Sequence, residues 1–530
     1  MTRARDPGEP SIEPDALMAL LCADGELALL DVREARAFHA AHLNLARHAP
    51  LSGLELRLPA FLPRRDVEVV LCDDTDAAGA AAERAAALLA RLGYSKVRRL
   101  RGGLAGWQAR GLPTIDGWNT LVKAFGDRVR RHYGTRVLPL PELRARLAQP
   151  ATVRLVDVRP ADEFAFLSIA GARNHAGPEL ALRDFAPEGD AAPLWAVNCF
   201  SRTRGILGAT GLQLLGHPDA AFVEDGVMAW TLQGGAVARD AAPSPDLPVA
   251  PAPVLRARAT ALRAAAGIQA IDADRLAAWQ RDPTRTLHVF DLRPGVPGSI
   301  GSQLPMHFDE RVGTRGARVV LADEPHGLRA ALTAFWLQGL NQCEVVVLEG
   351  DAPVPAGDRG ETPQDEAAAE RIDAATLAAL LKQGTTAVID VGPSDAFEAR
   401  HLPDALYLLP ASLAPLEGLP ERFRTWVFTS PDGAAARLVA RDARRRWPSL
   451  RVAWLEGGTA AWAAAGLAMA TRHAPKQRLS AFDDDWGSVM RVAPQERDAA
   501  WAAYLAWERA LADRVAADPS VRFRFAHIDT

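Results

Sequence analysis

A cysteine followed closely by two arginines is the feature of this chain best suited to chemistry. It stands in the run Asn198-Cys199-Phe200-Ser201-Arg202-Thr203-Arg204-Gly205. An apolar run, Leu194-Trp195-Ala196-Val197, precedes it, and a helix-like run from Ile206 to Leu215 follows. A strand end, a tight loop and a helix start bring backbone N–H groups together around the sulfur. The helix dipole and the two arginines add positive potential at the same place, and both favour thiolate over thiol. The same cradle suits an oxyanion. A reactive sulfur beside an anion pocket points to sulfur transfer or to phosphoryl chemistry.

The elements that must position this loop recur along the chain. An apolar strand ending in Asp-Val-Arg or a relative appears as Leu29-Leu30-Asp31-Val32-Arg33, Leu155-Val156-Asp157-Val158-Arg159, Val289-Phe290-Asp291-Leu292-Arg293 and Val388-Ile389-Asp390-Val391-Gly392. Three of these copies close on a Gly turn and a tryptophan: Gly102-Gly103-Leu104-Ala105-Gly106-Trp107, Asp225-Gly226-Val227-Met228-Ala229-Trp230 and Gly457-Gly458-Thr459-Ala460-Ala461-Trp462. The third copy stops at Leu348-Glu349-Gly350-Asp351 without a tryptophan. Between the landmarks lie a second apolar strand (Val67–Leu71, Arg318–Leu321, Trp426–Phe428) and an alanine-rich helix (Ala80–Leu92, Leu328–Leu337, Ala434–Arg446). The helical runs carry apolar residues at i, i+3, i+4 and i+7. All-apolar strands alternating with helices predict a mainly parallel sheet flanked by helices in each copy. Repeats this long are tandem domains rather than a solenoid.

The predicted fold class is therefore α/β, with domains at 1–116, 117–242, 243–356 and 357–471 and a helical extension at 472–530. Pro/Ala-rich residues 241–248, with Pro251 and Pro253, predict one linker, and Ala352–Asp365 another. Trp118–Tyr133 reads as a helix leading into the second copy. Pro494–Ala517 reads as one helix with Trp501, Tyr504, Leu505, Leu511 and Val515 partly along one face. That face docks on neighbouring domains or, alternatively, forms a homodimer or partner surface. Asp483-Asp484-Asp485-Trp486 reads as a polar turn with an aromatic anchor.

Bulk properties set limits. A chain of 530 residues exceeds one core. A formal charge of −4 gives no reason to expect nucleic acid. Four scattered cysteines, Cys22, Cys72, Cys199 and Cys343, argue against a disulfide framework and show no zinc spacing. Met1–Pro7 lacks the apolar core of a signal peptide, and no run approaches the ~18 apolar residues of a membrane span. The expected compartment is the cytoplasm, with no membrane partner.

The Asp-Val-Arg strand, the cysteine loop and the closing Gly-Gly-x-x-x-Trp together resemble the rhodanese (sulfurtransferase) family. The resemblance covers about residues 12–470 as four tandem rhodanese-like domains. It implies that Cys199 takes a sulfane sulfur from a donor such as thiosulfate, 3-mercaptopyruvate or a persulfide. The resulting persulfide then passes the sulfur to a thiol or cyanide, with no metal or organic cofactor. Cys199 must attack as a thiolate, which needs a lowered pKa. The N–H groups of residues 200–205 would meet the developing charge. Arg202 and Arg204 would hold the donor's anionic end, Arg204 as a bidentate fork, and Thr203 would add a hydrogen bond. Gly205 completes the loop. Phosphatases of this fold use a Cys-x5-Arg loop. Here only four residues separate Cys199 from Arg204, and the next position is Gly205, so sulfur transfer is favoured. Phe200 and Ser201 stand where a small residue and glycine are expected. Ser201 would be strained at positive φ, and Phe200 would narrow the entrance or form an apolar wall.

The other copies read as inactive. Cys72 is followed by Asp73, Asp74 and Asp76, which raise a thiol pKa and repel anions, and Asp73 is an alternative occupant of the cysteine slot. Ala322-Asp323-Glu324-Pro325 and Thr429-Ser430-Pro431-Asp432-Gly433 carry no cysteine, and nothing activates Ser430. Cys22 and Cys343 read as buried structural residues. His42 and His401 recur at matching positions, as do Trp107, Trp230 and Trp462, which argues for structural roles. Trp230 has the alternative of lining the pocket.

Overall fold

The computed structural model describes residues 11–184, 193–242, 247–296, 299, 301–350 and 369–528. The expected linker at 352–365 and the segment Met1–Pro7 lie outside the described residues. Among the described residues the chain forms four parallel sheets and one two-stranded antiparallel ribbon.

The first sheet has the order Ser11–Ile12, Val97–Leu100, Val69–Cys72, Ala28–Asp31, Arg47–His48. The second repeats that order as Val137–Leu138, Ala220–Val223, Leu194–Asn198, Val153–Asp157, Arg173–Asn174. The fourth does so again with Glu370–Ile372, Arg451–Leu455, Thr425–Thr429, Thr386–Asp390, Leu406–Tyr407. The third has four strands, Ala270–Ile271, Glu344–Leu348, Arg318–Ala322 and Leu287–Asp291. Every pairing in these four sheets is parallel. The central strands are buried on both faces, as their continuous apolar runs require.

The Asp-Val-Arg strands end on a shared device. Asp157 lies fully buried and accepts a fork from Arg159, with Nη2–Oδ2 at 2.7 Å and Nε–Oδ1 at 2.9 Å. Asp31–Arg33 and Asp291–Arg293 repeat the fork. The fourth copy has Gly392 instead, and burial pushes the Asp390 carboxyl up to about 6.

The tryptophans are structural. Trp107, Trp230 and Trp462 each donate Nε1–H to a carbonyl six residues on, Pro113, Ala236 and Ala468, all at 2.9 Å. Trp230 belongs to the core of the second copy. His42 and His401 stack on Phe38 and Phe397 and bond their carbonyls through Nδ1 at 2.9 and 2.7 Å.

Three expectations need correction. Pro251 and Pro253 do not stand in a linker, because Pro251 caps the helix Ala252–Ala266 and Pro253 sits in its first turn. Proline fits there because those N–H groups have no helical partner. Cys22 and Cys343 are half-buried rather than fully enclosed. Cys22 faces Met18 on its own helix at 3.9 Å, and Cys343 packs against the edge of the large core.

That large core runs through the first three copies and the C-terminal segment without a break. The extension forms the helix Arg497–Ala516, which buries Trp501, Leu505, Leu511 and Val515 within the chain. Before it, Trp486 stacks on Trp118 with centroids 5.6 Å apart, while Asp484 accepts from Ser394 N at 2.7 Å and from the Tyr407 hydroxyl at 3.1 Å. The acidic turn thus ties the fourth copy to the first two. No helix among the described residues is long and apolar enough to cross a membrane.

Candidate active site

The strand Leu194–Asn198 delivers the cysteine loop to the C-terminal edge of the second sheet. Asn198 Nδ2 donates to Asp157 Oδ2 at 3.0 Å, so the buried Asp-Arg fork also fixes the base of the loop. The helix Thr203–Leu214 begins four residues after Cys199, with Arg202 at its N-cap. The turn Asp225-Gly226 grips the loop from the other side. Val227 N donates to Cys199 O at 3.0 Å, and Met228 N donates to Phe200 O at 2.9 Å. Gly226 has φ +61°, and a Cβ there would lie 2.3 Å from Cys199 O. Only glycine permits both the conformation and the approach. The helix Thr120–Tyr133 crosses the start of the cysteine helix equally closely, since a Cβ on Gly126 would lie 2.9 Å from Thr203 Cγ2.

Cys199 is 3% exposed. Burial pushes its thiol up to about 11, opposed by the Arg204 charge and the Gly205 N–H. Glu508 and Asp157 add to the rise. The expected lowering of the thiol pKa is thus overturned in this closed arrangement: desolvation of the thiolate outweighs the cradle.

The loop residues divide by partner. Arg204 lies on the cysteine side, but its fork is engaged by Glu163, Nη1–Oε1 at 2.7 Å and Nη2–Oε2 at 2.6 Å, with Gln303 Oε1 at 3.4 Å. Arg202 is held by Asp127 at 2.7 Å and Asp225 at 2.6 Å. It anchors the loop to two neighbouring elements. Thr203 donates to Glu508 Oε1 at 3.3 Å and so turns towards the C-terminal helix. Phe200 does not narrow an entrance. It packs edge-on against Trp501, centroids 5.3 Å apart, in the core of the second copy. Ser201 has no positive φ and hence no strain, and its hydroxyl faces Tyr504 and Glu508. A Cβ on Gly205 would lie 3.4 Å from Cys199 N and from Val197 O.

Several residues around the loop were missed by sequence reasoning. Glu163, Asp127 and Asp225 are distant in sequence and reach it from the helices Ala161–Phe166 and Thr120–Tyr133 and from the Gly turn. Lys123, Tyr504 and Glu508 come from the flanking helices. A signal for Glu508 existed: Trp501, Leu505, Glu508, Ala512 and Val515 share one helical face, and a glutamate inside a buried stripe is unusual. Lys123 Nζ donates to Trp118 O at 2.7 Å and lies 5.1 Å from both the Tyr504 and Trp507 ring centres. Burial brings its ammonium down to about 8.

Strand register identifies the equivalent slot in every copy. Asp157 pairs with Asn198, Asp31 with Cys72, Asp291 with Ala322 and Asp390 with Thr429. The residue after each is the slot: Cys199, Asp73, Asp323 and Ser430. Cys72 therefore lies one position early, fully buried, its thiol pushed well above the usual range by burial. In the other copies the slot's own oxygen occupies the helix N-terminus. Asp73 Oδ2 accepts from Ala82 N at 2.9 Å, Asp323 Oδ2 from Ala330 N at 3.2 Å and Ser430 Oγ from Ala436 N at 3.3 Å. Two of the four cradles thus already contain a built-in carboxylate.

Known proteins resemble this chain in sequence and in fold. The rhodanese-like domain family matches residues 13–110, 140–233 and 373–465, which leaves out the third copy. A crystal structure of thiosulfate sulfurtransferase from Pseudomonas aeruginosa is 31% identical and superposes with a TM-score of 0.87 over 98% of this chain and 100% of that one. A sulfurtransferase of Allochromatium vinosum is 29% identical over 104 residues, covering 20% of this chain and 92% of its own. An uncharacterised Synechocystis protein is 33% identical over 107 residues, and the matched part spans 55% of its length.

Proposed function

The chain belongs to the rhodanese-like domain family of sulfurtransferases, and on that premise we propose that it transfers sulfane sulfur through a persulfide on Cys199. The observation that carries this reading is the slot comparison. Among four equivalent positions, only this one offers a sulfur to the helix N–H groups, and Arg204 stands beside it. With thiosulfate as donor, the Cys199 thiolate attacks the outer sulfur, the S–S bond to the sulfonate breaks, and sulfite leaves with the bonding pair. Cyanide or a thiolate then attacks the terminal sulfur and returns Cys199 as thiolate. 3-Mercaptopyruvate and persulfides are alternative donors. The loop N–H groups meet the persulfide charge, and the Arg204 fork exchanges Glu163 for a donor oxygen or shares itself between them. The site residues of this proposal are Cys199 as nucleophile, with Arg204 and the backbone of residues 200–205 as the anion cradle.

Mass spectrometry of Cys199 after exposure to thiosulfate, mercaptopyruvate and glutathione persulfide tests the reading. A gain of one sulfur on Cys199, absent in Cys199→Ser, is expected. Persulfide formation with none of these donors would falsify it. The closure of Cys199 favours a second reading, a non-catalytic binding scaffold. That reading requires Cys199 to react with iodoacetamide near pH 7 no faster than a free thiol and to accept no sulfur.

A further inference from the structure

The C-terminal helix places a carboxyl against the cysteine loop that the chemistry above does not use. Glu508 is 3% exposed. One oxygen accepts the Thr203 hydroxyl at 3.3 Å, and Ser201 faces the same carboxyl. The other oxygen is buried without a hydrogen-bond partner. A buried carboxylate oxygen without a donor is costly, so the site has a place for one more proton. The charges around it come from every packed element. Lys123 stands on the helix Thr120–Tyr133, Cys199, Arg202 and Arg204 on the loop, Asp225 on the turn, and Tyr504 and Arg509 on its own helix. Arg202 is bonded to Asp127 and Asp225, and Arg204 to Glu163. Lys123 and Arg202 favour the Glu508 charge, while burial and Asp225 oppose it and leave the carboxyl above its ordinary range. Thr203, four residues after Cys199, ties Glu508 to the cysteine loop, and the Glu508 charge adds to the rise of the Cys199 thiol, since two like charges in one buried site cannot both form cheaply.

We infer that Glu508 is a positioning residue for the sulfur transfer. It holds the cysteine loop through Thr203 and Ser201, and it shares one proton with Cys199. The exchange is Cys199–SH plus Glu508–COO⁻ giving Cys199–S⁻ plus Glu508–COOH. The proton then stays on Glu508 while sulfur arrives and departs, since both persulfide and regenerated thiolate are anionic. A helix outside the four repeats thereby sets when the nucleophile is charged. The inference rests on Cys199 being the reactive sulfur.

The test is alkylation of Cys199 by iodoacetamide in the full chain from pH 5 to 10, read by mass spectrometry and independent of any sulfur donor. The native protein is expected to show two inflections, the signature of a coupled pair. Glu508→Gln should leave one inflection, about one pH unit or more below the upper native one. Glu508→Asp, which keeps the charge, should retain both inflections but lower the transfer rate. A single inflection in the native protein overturns the inference even if no variant folds, and so does a Glu508→Gln profile superimposed on the native one. Two inflections without persulfide formation would leave the pair standing and remove the proposed reaction.

Discussion

Asp390 shows what one missing side chain does to a buried acid. Its counterparts Asp31, Asp157 and Asp291 each receive an arginine fork, whereas Asp390 receives only Gly392 N at 2.9 Å. Its folded pKa of about 6 lies above the ordinary 3.8, so the folded state holds the proton more tightly than the unfolded one. Stability from this group is therefore greatest below pH ~4 and is lost as pH rises through 6. The loss amounts to about 3 kcal/mol at most. Asp390→Asn should raise the unfolding temperature at pH 7–8, and the difference from the native protein should vanish below about pH 4. The slot acids Asp73 and Asp323 instead accept helix N–H groups. Asp73 accepts two backbone N–H groups, from Ala82 and Asp74, and Asp73→Ala should cost about 1 kcal/mol in urea unfolding by removing a helix cap. At this scale the sequence marked the Cys199 loop and its counterparts, because residue type and order suffice, but the choice between Cys72 and Asp73 for the first slot needed the strand register. The engagement of Arg204 by Glu163 was hidden, since 41 positions separate them and only the sheet brings them together.

Among the elements, the short helix after each Gly turn does more than close a repeat. Gly103, Gly226 and Gly458 all have positive φ, and a Cβ on each would collide with the backbone of the slot loop, at 2.5, 2.3 and 1.9 Å. Gly226→Ala should displace Cys199 and reduce sulfur transfer at least about tenfold, because misplacing a reacting group by an ångström is expensive. Gly458→Ala should destabilise the fourth copy comparably yet leave the alkylation rate of Cys199 unchanged. If both variants slow Cys199 equally, the grip is not local. The Gly-x-x-x-Trp motif was plain in the sequence, but its hold on the loop was not, because the contact is between backbones. The tail helix was legible to within a few residues, Arg497–Ala516 against an expected Pro494–Ala517. Its apolar stripe concealed Glu508 because periodicity reports burial and not partnership.

At the scale of the molecule, the copies are tandem in sequence but not independent in space. The first three share one core with the tail. The fourth keeps its own cores and is joined to the first by Arg441 and Glu55, two contacts of 2.8 Å. Both side chains are largely buried, so Glu55→Ala should weaken this junction by about 1–3 kcal/mol, seen as a lower urea midpoint. An unchanged midpoint would mean that Asp442, also on Arg441, is sufficient. The repeats foreshadow the four parallel sheets but not the shared core, because no repeat announces which faces meet.

The 305 positions between Thr203 and Glu508 give synthesis a direction. Domains fold in order as they leave the ribosome, so the second copy can assemble its sheet long before residue 508 exists. A nascent chain halted after the fourth copy carries Cys199 in its loop without Trp501 against Phe200 or Glu508 against Thr203. Cys199 is thus laid down well before the carboxyl and the indole that pack beside its loop.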